Sequence, residues 1–81
     1  MKYLICEDFS GQPICFVFPR RVDHLDMREQ LPYRKFISAG FVELDKGAFT
    51  CFAGSQEMGL VARPEEDAAL IAEALRVRPR P

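Results

Sequence analysis

Two short runs near the start of the chain constrain its fold more than any other feature. Lys2 to Asp8 (KYLICED) and Ile14 to Phe18 (ICFVF) are apolar at consecutive positions rather than alternate ones. Side chains along a strand point to opposite faces in turn, so runs of this kind place apolar groups on both sides of a sheet. A strand with one face in water would alternate polar and apolar residues, and this pair predicts a sheet covered on both sides. Phe9-Ser10-Gly11-Gln12-Pro13 separates the runs, with turn chemistry at Ser-Gly, and predicts a β-hairpin. With Ser10 and Gly11 as the central turn residues, Glu7 faces Ile14 and Cys6 faces Cys15, and Pro13 falls opposite Asp8 at a site that needs no N–H. That register groups Tyr3, Ile5, Phe16 and Phe18 on one face and Leu4, Cys6, Cys15 and Val17 on the other. It also predicts that Cys6 and Cys15 can be linked across the strands by an oxidant.

After Pro19-Arg20-Arg21, the segment Val22 to Leu31 reads as a helix of about two turns. Asp23 suits the N-cap, Asp26 places negative charge in the first turn, and Val22 with Met27 has the spacing of a hydrophobic staple. Pro32 ends it. A helix this short is unstable alone, so Leu25, Met27 and Leu31 are expected to dock on the sheet. Phe36 to Leu44 and Ala48 to Ala53 form a second strand pair around Asp45-Lys46-Gly47. A two-residue turn there pairs Val42 with Cys51 and Leu44 with Phe49, whereas a three-residue turn shifts the register by one, and the sequence leaves both open. Gly40 in mid-strand marks a bulge or a close backbone approach. Pro64 followed by Glu65, Glu66 and Asp67 is a strong helix start, and Ala68, Ile71, Ala72 and Leu75 form one apolar stripe. Pro79 and Pro81 stop that helix. The order ββαββα gives an α+β class: a mostly antiparallel four-stranded sheet with both helices packed on one face. Its two ββα halves share an order but do not align. Residues 1–75 form one globular domain, and 76–81 are expected to be a frayed tail rich in Arg and Pro.

Charge narrows the function. The chain of 81 residues carries a net −1, yet residues 1–75 hold 8 basic against 12 acidic side chains, a net of −4. Arg76, Arg78 and Arg80 then add +3. Nucleic-acid binding needs a basic excess, which only Arg20, Arg21, Arg34, Lys35 and the three tail arginines could supply. No apolar stretch matches a membrane helix and the start lacks the pattern of a signal peptide, so a cytoplasmic protein is expected.

The chemistry-bearing residues are few. Cys6, Cys15 and Cys51 have no C-x-x-C spacing, and a four-ligand zinc site would need all three together with His24, the one histidine. No metal and no cofactor are expected. Thiol catalysis needs an activated thiolate in an open, electropositive pocket, whereas all three cysteines lie in apolar strand runs. His24 falls at a helix start, where positive charge is disfavoured, and reads as a surface or capping residue. Gly54 to Gly59 has the spacing that opens a phosphate loop, but Leu60 and Val61 stand where the lysine and hydroxyl belong, which excludes a nucleotide site of that kind. Gly54, Ser55, Gln56, Glu57, Met58 and Gly59 instead form a glycine-flanked loop suited to a binding contact. Ala39 to Leu44 is similar to the signature strand of RNA-recognition domains, without its exposed stacking aromatics and in a different element order.

One further pattern runs through half of the chain. Ser38-Ala39-Gly40-Phe41-Val42, then Cys51-Phe52-Ala53-Gly54-Ser55, then Leu60 and Arg63-Pro64-Glu65-Glu66-Asp67-Ala68-Ala69-Leu70-Ile71 resembles a group of short uncharacterised proteins encoded in tailed phages and prophages. That group combines S-A-G-F-V, C-x-G-x-S, an L-G-L-type loop and R-P-E-D-A-x-L-I. Here Met58-Gly59-Leu60 replaces L-G-L, and Phe52-Ala53 stands where an aromatic and glycine are usual. The resemblance implies a phage-related origin and carries no activity with it.

Two helices packed on one face leave the other apolar face open, which predicts a homodimer through Leu4, Cys15 and Val17. The functional expectation is a small non-enzymatic protein-interaction factor of phage or prophage origin. It would meet a host or phage protein through the dimer face or the Gly54–Gly59 loop. The alternative is a nucleic-acid-associated protein using the Arg-rich tail and the basic residues named above.

Overall fold

The computed structural model describes residues 1–76 of the chain. Six elements follow in order: β1 (Lys2–Glu7), β2 (Pro13–Phe18), α1 (His24–Glu29), β3 (Phe36–Asp45), β4 (Ala48–Phe52) and α2 (Pro64–Arg76). The strands make one antiparallel sheet in the order β2-β1-β3-β4. The α+β, ββαββα reading therefore holds. Both β2 and β3 run antiparallel to β1 and so parallel to each other, and α1 carries the chain across β1 between them.

The first hairpin departs from its expected register by one residue. Glu7 pairs with Pro13, Cys6 with Ile14 and Ile5 with Cys15. Asp8 is the cause: it leaves the strand and organises a loop over residues 8–12. Its Oδ1 accepts from the Ser10 amide (2.9 Å), the Ser10 hydroxyl (2.7 Å) and the Gln12 amide (2.9 Å), while the Asp8 amide donates to the Gln12 carbonyl (2.8 Å). A side chain that bonds the backbone two and four residues ahead competes directly with the ladder. The Ser10 hydroxyl, ahead of the backbone amides, holds the Asp8 carboxyl below its ordinary range.

A slip of one residue exchanges the faces of β2. Tyr3, Ile5, Cys15 and Val17 share one face, and Leu4, Cys6, Ile14, Phe16 and Phe18 share the other. Cys6 and Cys15 thus lie on opposite faces, which overturns their expected cross-strand pairing.

The helices also divide between the faces rather than sharing one. On the first face Tyr3, Ile5, Val42 and Cys51 form a core with Ile71, Ala68 and Leu70 of α2. On the second, Leu4, Phe18 and Ala39 pack with Val22, Met27 and Leu31 from α1 and its flanks, and with Met58 and Leu60. Both faces of β1 are apolar, and one helix on each face keeps both from water. The inward side chains are His24 and Met27 of α1, at i and i+3, and Leu31 just beyond its end, while Leu25 is turned outward and 37% exposed.

The second hairpin takes the two-residue turn. Asp45 pairs with Ala48, Leu44 with Phe49 and Val42 with Cys51. Lys46 (φ 53°) and Gly47 (φ 81°) both have the positive φ that this tight turn requires. Gly40 proves to be a close approach: a Cβ there would sit 2.5 Å from the Phe52 carbonyl oxygen and 3.0 Å from the Gly54 nitrogen.

Candidate functional site

The chain leaves β4 through two residues of positive φ, Ala53 (76°) and Gly54 (64°). Ser55 and Leu60 then exchange backbone hydrogen bonds of 2.8 and 3.1 Å, and the Gly59 amide donates to the Gln56 carbonyl at 3.1 Å, closing a small turned-back loop. Glu57 at its tip reaches α1, where Oε1 accepts from the Leu25 amide at 2.9 Å. The N-cap residue Asp23 makes no such bond itself, so the cap of α1 comes from a residue far along the chain. Met58 packs into the core beneath α1. These two contacts fasten the loop to the helix.

Between loop and helix lies an open cleft of about 430 Å³, lined by Lys2, His24, Phe41, Ser55, Gln56 and Glu57 with the backbone at Ala53 and Gly54. His24 is only 4% exposed, which corrects the expectation of a surface histidine. Its Nε2–H donates to the Gly40 carbonyl at 3.0 Å, and its ring stands edge-on to Phe18 (5.6 Å) and Phe41 (6.0 Å). A carbonyl only accepts, so Nε2 carries the proton. Phe41 is stacked on Phe52 at 5.9 Å and 22°, with the Arg20 guanidinium 5.5 Å and the Lys2 ammonium 5.9 Å from its ring centre. Lys2 Nζ donates to the Val22 carbonyl at 3.0 Å and lies 3.7 Å from Asp23.

Ser55 is the anomaly of the site. It is 6% exposed, and its Oγ is the one buried side-chain polar atom without a hydrogen-bond partner among the described residues. Leaving such a group unsatisfied costs about 1–3 kcal/mol.

The remaining residues singled out from the sequence scatter. Leu4 is buried on the α1 side, whereas Cys15 and Val17 pack toward α2, so the three do not form one face. Arg20 and Arg21 follow the end of β2 that pairs with Lys2, while Arg34 and Lys35 lie beside Glu7 at the other end of β1. Five strand steps, about 17 Å, separate those ends. Lys35 pairs with Glu7 at 3.3 Å. Arg76 closes α2, and Arg78 and Arg80 lie outside the described residues. Cys15 and Cys51 belong to the α2 face, and Cys6 to the face that holds His24. Burial pushes the Cys6 and Cys51 thiols up to about 11 and raises that of Cys15. Such thiols stay protonated at neutral pH and are poor nucleophiles.

Glu65, Glu66 and Asp67 mark the start of α2, and Asp67 does more than that. It is fully buried; Oδ2 accepts from the Tyr3 hydroxyl (2.6 Å) and the Arg63 amide (2.8 Å), and Oδ1 from the Ser38 hydroxyl (2.8 Å) and Arg63 Nε (3.0 Å). All four donors come from within the fold, so this cluster joins α2 to β1 and β3. The Arg63–Asp67 spacing of i, i+4 was its signal in the sequence.

Comparison with protein-family models, curated proteins and solved structures finds no match to this chain.

Proposed function

We propose that this chain is a non-catalytic protein-interaction module whose cleft between α1 and the 54–60 loop receives a neutral segment of a partner protein. The cleft carries the reading: Ser55 lines it, and the buried Ser55 hydroxyl has no partner among the described residues. The ionic groups beside it are already engaged within the fold: Lys2 with Val22 and Asp23, Glu57 with the Leu25 amide. What is left over is the exposed Gln56 amide and the Phe41 ring, which complement a peptide group and an apolar side chain better than an anion, while the Ser55 hydroxyl is unpaired but buried. Among the described residues no hydrogen bond joins His24 to Ser55 or to a cysteine, and the Ser38 hydroxyl that donates to Asp67 is fully buried away from the cleft, which supports a binding role over a catalytic one. The phage-related origin implied by the motif resemblance belongs to the same proposal, with a host or phage protein as partner.

Selection of displayed random peptides tests it, with Ser55→Phe and Gln56→Trp as counter-targets. Gln56 is exposed, so its replacement blocks the cleft without disturbing the core. The expected peptides bind the unmodified chain, weaken about tenfold or more on both variants, and shift the Gly54 and Ser55 amide resonances. Peptides that bind all three proteins equally, or no enrichment at all, would overturn the reading.

A second reading, single-stranded nucleic acid, draws on one observation: the Phe41–Phe52 pair with Arg20 over one ring and Phe52 38% exposed. A base stacked on an aromatic ring contributes about 1–3 kcal/mol. Anisotropy of a labelled oligonucleotide across a salt series tests it: a salt-sensitive affinity that Phe52→Ala lowers about fivefold or more supports it. No binding at about 50 mM salt removes it.

A further inference from the structure

The loop that walls the cleft joins the rest of the fold by a narrow neck. The chain leaves β4 through Ala53 and Gly54 and returns at Val61, whose carbonyl accepts from the Ala39 amide of β3 at 3.3 Å. The two sides of the neck touch: a Cβ on Gly54 would sit 2.9 Å from the Leu60 carbonyl oxygen and 3.2 Å from Val61 Cα. Open space lies on both sides of it. Ala53, Gly54, Ser55 and Gln56 line the cleft of about 430 Å³ and also a second, apolar one of about 620 Å³ beside Phe52, Val61 and Pro64. Beyond the neck the loop closes on itself through the two Ser55–Leu60 backbone bonds, so it can turn as a unit.

Two features of the neck oppose the closed position. Ala53 is a non-glycine residue at φ 76°, where its Cβ crowds the following carbonyl. The buried Ser55 hydroxyl lacks the partner that water would supply. Strained backbone of this kind persists only where its surroundings hold it, and it collects at clamps and switch segments. What holds it here is slight. Glu57 bonds the Leu25 amide at an exposed site, where water competes, and Met58 and Leu60 are only half-buried against the core of Leu4, Phe18 and Ala39.

We propose that residues 54–60 are a two-state latch, closed on α1 in this structure and swung away about Ala53–Gly54 and Val61 in a minor state. Opening breaks the Glu57–Leu25 bond, withdraws Met58 from the core beneath α1, relaxes Ala53 and lets the Ser55 hydroxyl find a partner. The uncovered site joins an apolar floor to a hydroxyl. An apolar side chain of the partner segment takes the place of Met58 there, and a peptide group meets Ser55. The latch rests on the reading of the cleft as a peptide site only for what enters; the opening itself belongs to the free chain. Minor states of this kind are populated at about 0.1–10% and exchange in microseconds to milliseconds.

Relaxation dispersion of the backbone amides in the full, unliganded chain tests the latch. Exchange is expected at Leu25 and across residues 54–61, and not at Ile5 or Ile71. Ser55→Ala removes the unpaired hydroxyl and is expected to lower the open population about fivefold or more. Ala53→Gly relieves the positive φ and is expected to lower it about threefold. Glu57→Ala moves it the other way, up about fivefold. Amide hydrogen exchange of the unmodified chain gives a readout without substitution: Ser55 and Leu60 stay protected while Leu25 opens, because the loop moves whole. Flat dispersion at Leu25 and 54–61, an open population that Ser55→Ala or Ala53→Gly leaves unchanged or raises, or Ser55 and Leu60 exchanging as fast as Leu25 would each overturn the latch. Since every readout comes from the unliganded chain, a loop that opens while no peptide is selected upholds the latch and removes the partner reading alone.

Discussion

The Tyr3 hydroxyl donates to Asp67 Oδ2 across 2.6 Å, joining the first strand to the last helix, 64 residues apart, inside a core that excludes water. Burial, followed by the neighbouring carboxylate, drives the Tyr3 hydroxyl far above its ordinary range, so the phenol stays a donor at every working pH. Hydrogen bonds to a charged group contribute about 1.5–3 kcal/mol, and Tyr3→Phe is expected to lose that amount in urea denaturation. Asp67→Ala should cost more, about 3–5 kcal/mol, because it leaves Arg63, Ser38 and Tyr3 without their shared acceptor. Equal losses for the two variants would show that Asp67 is not the hub.

Glu57 provides the N-terminal cap of α1 from across the molecule. Removing a cap costs about 0.5–2 kcal/mol, so Glu57→Ala should destabilise by roughly 1 kcal/mol, with Glu57→Gln recovering most of it. The loss should also be local: amide exchange at Leu25 rises in Glu57→Ala, while Ile5 and Ile71 follow only the global change. Uniform acceleration at all three sites would argue that the loop–helix contact is not what the side chain provides.

How much of this was legible in the sequence depends on the range of the interaction that decides each feature. Element order and type rested on local signals, such as the Pro64-Glu65-Glu66-Asp67 helix start and the doubly apolar run of β1, and these held. The β1–β2 register failed because Asp8 could serve as the last strand residue or the first turn residue, and only its three accepted hydrogen bonds decide. That one slip misassigned Cys15 and Val17, and the dimer face with them. The helices were placed on one face because no local signal says which face a helix takes. The cleft was half visible: the glycine-flanked loop stood out, but His24 and Phe41 reach it from other parts of the chain, and an unpaired hydroxyl is a property of three-dimensional packing alone.

The thiols give a pH prediction. Cys6 and Cys51 are raised by burial from an ordinary 9.0 to about 11. Their ionisation is thus easier in the unfolded chain, and the folded state binds more protons between those values. Stability contributed by the neutral thiols is full below about pH 9 and falls as pH rises from about 9 through 11. Urea midpoints measured across that window should decline, and Cys6→Ala with Cys51→Ala should flatten the slope while lowering stability at neutral pH through lost packing. In the same preparation diamide should leave Cys6 and Cys15 unlinked within one native chain, because the sheet lies between their side chains. A flat profile would contradict the burial of these thiols, and an intrachain link formed without unfolding would contradict the register.

Two glycines separate steric from conformational need. Gly47 has a positive φ of 81° and nothing within 4 Å of a Cβ, so Gly47→Ala meets only backbone strain, about 1–2 kcal/mol. Gly40 has ordinary backbone angles, but its Cβ would lie 2.5 Å from the Phe52 carbonyl oxygen and 3.0 Å from the Gly54 nitrogen, both rigid backbone atoms. Gly40→Ala must therefore push β4 and the Ala53–Gly54 turn away from β3. Since the Gly40 carbonyl also receives the His24 proton, the displacement reaches the cleft. The expected result is a loss of about 3 kcal/mol or more, well beyond the Gly47 variant, with altered His24 and Ser55 resonances in whatever remains folded. Comparable losses for the two variants would mean that the strands part easily at Gly40, and that the cleft is not held by this contact.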